Sequence, residues 1–205
     1  MVDINPRNNI KNKNLTIYFV YHKSLVGKVI ARYSYFLEIK KYGILKSIWY
    51  TIKGVPIEEP IVSHVFVSLD KYAFDIDIRY GVVIKDLPQL PPMAGTLNDL
   101  LVFEDERKIV YMKRIEIDEE TEINYLFKLL DLYIKQYRAD QILKYNFGDL
   151  IGFIIPSVKG HEETYICSEF VLQFLCDINY IPAMPTRRVS PNWILHNIFL
   201  HNHLL

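Results

Sequence analysis

Two short stretches, IVSHVFVSL (61–69) and YAFDIDI (72–78), read as strands and are separated only by Asp70 and Lys71. A two-residue gap between such runs reads as a tight hairpin. With Asp70-Lys71 as its loop, Leu69 faces Tyr72, Phe66 faces Asp75 and His64 faces Asp77. That register is demanding. His64, Phe66 and Ser68 share one face, and Val65, Val67 and Leu69 share the other. A slip of one residue would set His64 opposite an isoleucine. Strand interiors disfavour aspartate, so Asp75 and Asp77 together ask for a reason. One reason is a solvated acidic edge. The other is a carboxylate within cross-strand reach of His64, able to fix the imidazole tautomer and stabilise imidazolium.

The rest of the chain is read around this hairpin. LTIYFVY (15–21) is a buried strand, preceded by a loose arm over residues 1–14. From Leu25 to about Tyr50 apolar and basic residues recur at helical spacing, interrupted by Gly43. Lys28, Arg32, Lys40, Lys41, Lys46 and Lys53 face a single Glu38 in the stretch up to Gly54. Such a pattern is either a solvated helix face or a peripheral membrane contact through 25–54. GVPIEEP (54–60) is a loop, YGVVIKDL (80–87) continues as strand or leads away from it, and LPQLPPMAG (87–95) cannot sit in a central strand. KIVYMKRIEI (108–117) is a further strand. The acidic run 116–122 opens a helix to about Arg138, as suits the positive end of a helix dipole. KYNFGDLIGFIIP (144–156) is apolar and broken by glycine. ICSEFVLQFLCDIN (166–179) is a helix, and SPNWILHNIFL (190–200) is one capped by Ser190 with Pro191 at its first position. Strands in the middle with helices at both ends make the fold class α+β.

The 205 residues suit one domain, and 24 basic against 24 acidic side chains leave no net charge, so a global grip on nucleic acid is not indicated. The start of the chain has no signal-peptide core, and no run is long enough to span a bilayer, which points to a reducing, cytoplasmic setting. An Ile/Lys/Asn/Tyr-rich composition is compatible with a virus, in which case host cytoplasm or the virion is the setting, or with a phage or a low-GC bacterium. The two cysteines, Cys167 and Cys176, lie nine residues apart. On one helix that is about 180° around the axis and roughly 13 Å along it, too far for a disulfide.

Cys167 occupies the first turn of its helix, above the apolar face carried by Phe170, Val171, Phe174, Leu175 and Ile178. Unpaired N–H groups there favour a thiolate and are able to hold an oxyanion. Against this stands a plain alternative, a small buried hydrophobe at a helix start. A thiolate hydrolase needs a base, and His64 is the histidine within a strand. His196, His201 and His203 hint at a metal site, but no carboxylate or cysteine near them in sequence completes it, and a frayed tail is the expectation. His22 and Tyr165 are candidates to line a cleft, and Glu169 complements the helix dipole.

The order strand-His, strand-acid, helix, Cys-led helix resembles the circularly permuted branch of the NlpC-type, papain-like cysteine hydrolases, which includes YiiX-like bacterial proteins, a poxvirus family and, more distantly, the lecithin:retinol acyltransferase group. The resemblance rests on SHVFV (63–67), FDIDIRYGVVIKDL (74–87), KYNFGDLIGF (144–153), YICSEFV (165–171) and VSPNWI (189–194). The first sixty residues match only loosely. It implies a small antiparallel sheet packed on the Cys helix, with Cys167 as nucleophile, His64 as proton relay and Asp77 as the third member, Asp75 being the fallback. Where the family often has a small residue in the histidine strand, this chain has Phe66. The implied reaction is attack on an amide, isopeptide, ester or thioester carbonyl through an acyl-enzyme, with no metal or organic cofactor. The implied substrates are a peptide or isopeptide, or an acyl lipid at a membrane surface. A catalytically idle binding protein of the same fold is the third possibility.

Overall fold

A computed structural model describes residues 13–69, 72–77, 81–86, 107–138, 166–186 and 188–201; the side chains of Asp77, of 81–86 and of a few positions at 107 and in 132–138 lie outside that description. The stretches 87–95 and 144–156, the arm over 1–12, Tyr165 and His203 also lie outside it. Strand β1 (Lys13–His22) is followed by helix α1 (Leu25–Ser34), which continues as a π-helical turn (Tyr35–Ile39), and by α2 (Ile44–Lys53). Then come β2 (His64–Leu69), β3 (Tyr72–Asp77), β4 (Gly81–Asp86), β5 (Arg107–Ile117) and α3 (Glu119–Arg138). Helix α4 is Cys167–Asp177, and α5 (Pro191–Ile194) runs on as a second π-helical turn (Leu195–Leu200).

The class is α+β. Five strands form one antiparallel sheet in the order β4-β3-β2-β1-β5. β1 pairs with β2 and β5 on its two edges, and it reads as an unbroken apolar run because both of its faces are covered. Leu15, Ile17 and Phe19 are fully buried on one face, and Tyr18 and Val20 are 1% exposed on the other. The strand begins at Lys13, so Lys13 and Asn14 of the expected 1–14 arm belong to β1.

The larger core joins the Leu15/Ile17/Phe19 face of the sheet to α3, α4 and α5 through Leu129, Val171, Leu175, Ile194 and Ile198. A smaller cluster on the opposite face gathers Tyr18, Val20, Phe66, Ala73 and Ile109, with Tyr18 stacked on Phe66 at 4.9 Å between ring centres. The expected interruption at Gly43 is present: α1 and its π turn end at Ile39, and Gly43 caps α2 with an extended backbone. α1 packs closely on the end of β1. A Cβ at Gly27 would lie 2.3 Å from that of His22, so only glycine fits there.

Among the described residues, no helix is long and apolar enough to cross a membrane.

Candidate functional site

Every described pair between β2 and β3 obeys the hairpin count: Leu69 with Tyr72, Ser68 with Ala73, Val67 with Phe74. The ladder then stops. β2 stays with β1, pairing His64 with Val20, and β3 stays with β4, pairing Asp77 with Gly81. The two strands part company at the end that carries the histidine.

His64 reaches across this opening, but to Asp75. Its Nε2 lies 2.7 Å from Asp75 Oδ1. The described partner of His64 is thus the fallback acid, two residues before the expected Asp77. Opposite positions can be counted only while the ladder holds, and it holds only to Phe74. Past that point the diagonal neighbour is the one in reach. Asp75 is 3% exposed, so the solvated-edge explanation for it fails. The Asp77 side chain lies outside the described residues.

Cys167 lies close enough to the imidazole to act on it by charge and by hydrogen bonding. Burial alone would lower the pKa of His64. The Asp75 carboxylate, and after it the Cys167 sulfur, override that by charge and by hydrogen bonding, and raise it to about 10. The ring is therefore imidazolium at neutral pH. With Nε2 given to Asp75, Nδ1 is the ring's remaining nitrogen.

Cys167 is the first residue of α4 because Ile166 before it is extended, with φ −92° and ψ 162°. Glu169 fixes this start. Its Oε2 accepts the Ile166 N–H at 3.1 Å and its Oε1 accepts the Arg188 N–H at 2.8 Å. At 1% exposure Glu169 is a buried clamp between the Cys helix and the segment leading to α5, and it does more than complement the dipole. Cys167 itself is 3% exposed. The backbone N–H groups of the first turn have no partners within the helix and are the natural donors to an oxyanion.

The segment that delivers His64 is held by α5. The Asn192 side chain accepts the Val62 N–H at 2.7 Å and donates to Ala31 C=O at 2.7 Å and Ser34 Oγ at 2.8 Å. Ser63 Oγ accepts the His22 N–H at 2.9 Å, which ties the end of β1 to the residue before His64. Ser190 caps α5 as expected, accepting the Trp193 N–H at 3.1 Å while its hydroxyl donates to the carboxylate of Glu38.

His196 is not part of a frayed tail. It is 1% exposed, with Nε2 2.9 Å from the Pro60 carbonyl oxygen and Nδ1 3.4 Å from Glu59 Oε2. Burial lowers its pKa, which keeps the ring neutral at pH 7. Glu59, the carboxylate that sequence proximity could not supply, comes from the loop before β2. Nothing in GVPIEEP marks it.

The basic, apolar segment 25–54 forms two helices with a largely uncovered apolar side. Leu25, Leu45 and Ile52 are 78%, 84% and 75% exposed, and Trp49 is 56% exposed with Lys53 Nζ 4.7 Å from its ring centre. Not all of its cations face outward for a partner. Arg32 donates to the Val55 carbonyl, and Lys40 pairs with Glu59.

No protein-family model matches the chain, and searches of curated proteins and of solved structures return no match.

Proposed function

We propose that this chain is a cysteine-dependent hydrolase of permuted papain-like architecture, with Cys167 as nucleophile, His64 as proton relay and Asp75 as the group that orients it. The observation that carries the reading is the contact of one imidazolium with both a buried carboxylate and a cysteine at the first turn of a helix. Core packing asks for none of this. A buried ion pair is costly to assemble and weak as a stabiliser, so its presence beside a thiol points to chemistry.

In this reading the sulfur attacks the carbonyl carbon as thiolate, the imidazolium holding its counter-charge. The oxyanion is met by backbone N–H groups of the first turn of α4. Nδ1–H then protonates the leaving amine or alcohol as its bond to carbon breaks, leaving a thioester on Cys167 and a neutral imidazole. The imidazole takes a proton from water, the hydroxide adds to the thioester, and expulsion of the sulfur releases the acid. Asp75 stays ionised throughout and keeps Nε2 protonated. The favoured substrate is an amide or isopeptide.

One observation favours the ester of an acyl lipid as a second reading: the exposed apolar side of α1 and α2, with Trp49 and Lys53 on it, is the composition of an interfacial helix. α1 begins at Leu25, close to His22, whose backbone is tied to the neighbour of His64. Sedimentation with vesicles containing anionic lipid separates the two readings. Binding lost in a Leu45→Glu/Trp49→Glu variant supports the lipid substrate, and no binding by the wild type removes it.

The decisive experiment for the hydrolase is iodoacetamide labelling across pH 5–9, read at Cys167 by mass spectrometry. Rapid labelling at pH 6, slowed at least tenfold in His64→Ala, is expected. A labelling profile like that of a free cysteine, unchanged in His64→Ala, would remove the enzyme and leave an idle binding protein.

A further inference from the structure

We propose that Glu59, His196 and His201 form a binding site for one divalent transition metal ion of the zinc class, separate from the cysteine site. Their ligand atoms lie within 4.8 Å of one another. Three features argue that this is a built site.

The first is the tautomer of His196. The Pro60 carbonyl can only accept, so Nε2 must donate to it across 2.9 Å. That leaves Nδ1 as the ring nitrogen open to a ligand. It is buried, makes no hydrogen bond and faces a carboxylate oxygen at 3.4 Å. A cation placed between the two atoms would bind both. A backbone carbonyl that fixes one imidazole nitrogen so that the other points at a metal is the usual outer-shell arrangement of a histidine ligand.

The second is spacing. Tetrahedral zinc with bonds of about 2.0–2.1 Å sets its ligand atoms about 3.3–3.4 Å apart. The His196 Nδ1 to Glu59 Oε2 separation of 3.4 Å has that value before any ion is present. Lys40 pairs with the other carboxylate oxygen, Oε1, which leaves Oε2 as the ligand and orients it.

The third is the helix itself. Residues five apart on an α-helix lie about 140° from each other. Here the backbone is π-helical, and the His201 N–H donates to the His196 carbonyl at 2.9 Å, which brings the two rings to 5.6 Å between centres. The other π turn, Tyr35–Ile39, borders the same open pocket of about 380 Å³ through Glu38 and Ile39. π turns are rare and frequently sit at functional sites. Two histidines and a carboxylate, with water in the fourth position, is an established zinc ligand set.

The role follows from what the site joins. Glu59 and Pro60 belong to the segment that runs into β2 and His64, and both histidines belong to the last helix. A bound ion cross-links the two.

The test uses Co²⁺ as a spectroscopic probe on the full chain, in a Cys167→Ala/Cys176→Ala background so that no thiolate contributes. Expected is saturable binding of one Co²⁺ per chain, with visible d–d absorption of a four- or five-coordinate site, displaced by Zn²⁺. Glu59→Gln and His201→Ala should each weaken it at least tenfold. His201 is exposed, so its removal leaves the core intact and keeps the test valid if Glu59→Gln folds poorly. Zn²⁺ should also raise the melting temperature of the background protein and not that of His201→Ala. Absence of saturable binding, or binding indifferent to His201→Ala, would overturn the proposal. Neither result bears on the cysteine site, whose test is thiol labelling.

Discussion

His64 and Asp75 form a diagonal pair across the mouth of a hairpin that has stopped pairing, with Nε2 and Oδ1 2.7 Å apart. The carboxylate is buried and the histidine side chain is 13% exposed, so solvent screens the pair little. Removing the charge of Asp75 while keeping its shape should let burial dominate the ring again. Asp75→Asn is therefore expected to lower the His64 pKa from about 10, read by NMR of the imidazole carbons. Thiol labelling of Cys167 at pH 6 should slow with it. Asp77→Asn should have the smaller effect on both. A larger effect from Asp77→Asn would return the third position to that residue.

The same pair makes a prediction for alkaline stability. The folded pKa of His64 lies above the value of about 6.5 expected in the unfolded chain. The folded state thus holds a proton that the unfolded state releases. The stabilisation is complete below about pH 6.5 and fades as pH rises through about 10. In urea titrations from pH 6 to 10.5, the gap between wild type and Asp75→Asn should narrow steadily. A constant gap would mean that the pair does not titrate as an ion pair.

Glu38 shifts in the same sense, over a lower pH window and through burial instead of a partner. Burial raises its carboxyl to about pKa 7, although the Ser190 hydroxyl and Lys41 pull it down. Between about pH 4.5 and 7 the folded chain keeps a proton that the unfolded chain has lost, so this group makes stability fall as pH rises through that window. Glu38→Gln should be more stable than wild type at pH 8, by on the order of 2 kcal/mol, and close to it at pH 5. Urea midpoints at pH 5, 6, 7 and 8 decide the matter. Parallel profiles for the two proteins would show that the carboxyl is solvated.

Asn192 is fully buried and joins three segments: α5 itself, α1 through Ala31 and Ser34, and the approach to His64 through Val62. In Asn192→Ala the buried Val62 N–H loses its partner, at about 1–3 kcal/mol for such a group left unpaired, while the Ala31 carbonyl keeps the Tyr35 N–H. A loss of about 1–3 kcal/mol in urea unfolding is expected, with slower labelling of Cys167 because the segment carrying His64 is no longer held. A loss under about 1 kcal/mol would mean that water replaces the amide.

What local pattern alone determined is considerable. Period-two and helical spacing placed β1 to β3, β5 and α1 to α5 to within a few residues, because these periodicities record which side of each element is buried. The two-residue gap at Asp70-Lys71 set the register of Leu69 with Tyr72. Ser190 and Pro191 announced the start of α5, and Cys167 the start of α4, because capping is a matter of a few adjacent residues. Tertiary structure decided the rest. Whether His64 meets Asp77 or Asp75 depends on where the ladder between β2 and β3 ends, and that depends on the competing pull of β1 on one strand and β4 on the other. Glu59 joins His196 across more than 130 residues, and no local pattern records such a distance. The π turn that brings His201 beside His196 reads in sequence as ordinary helix, since the hydrophobic spacing of a single widened turn is too short to be told from 3.6. Sequence fixes what each element buries. Only packing decides which polar groups are left facing one another where the elements end.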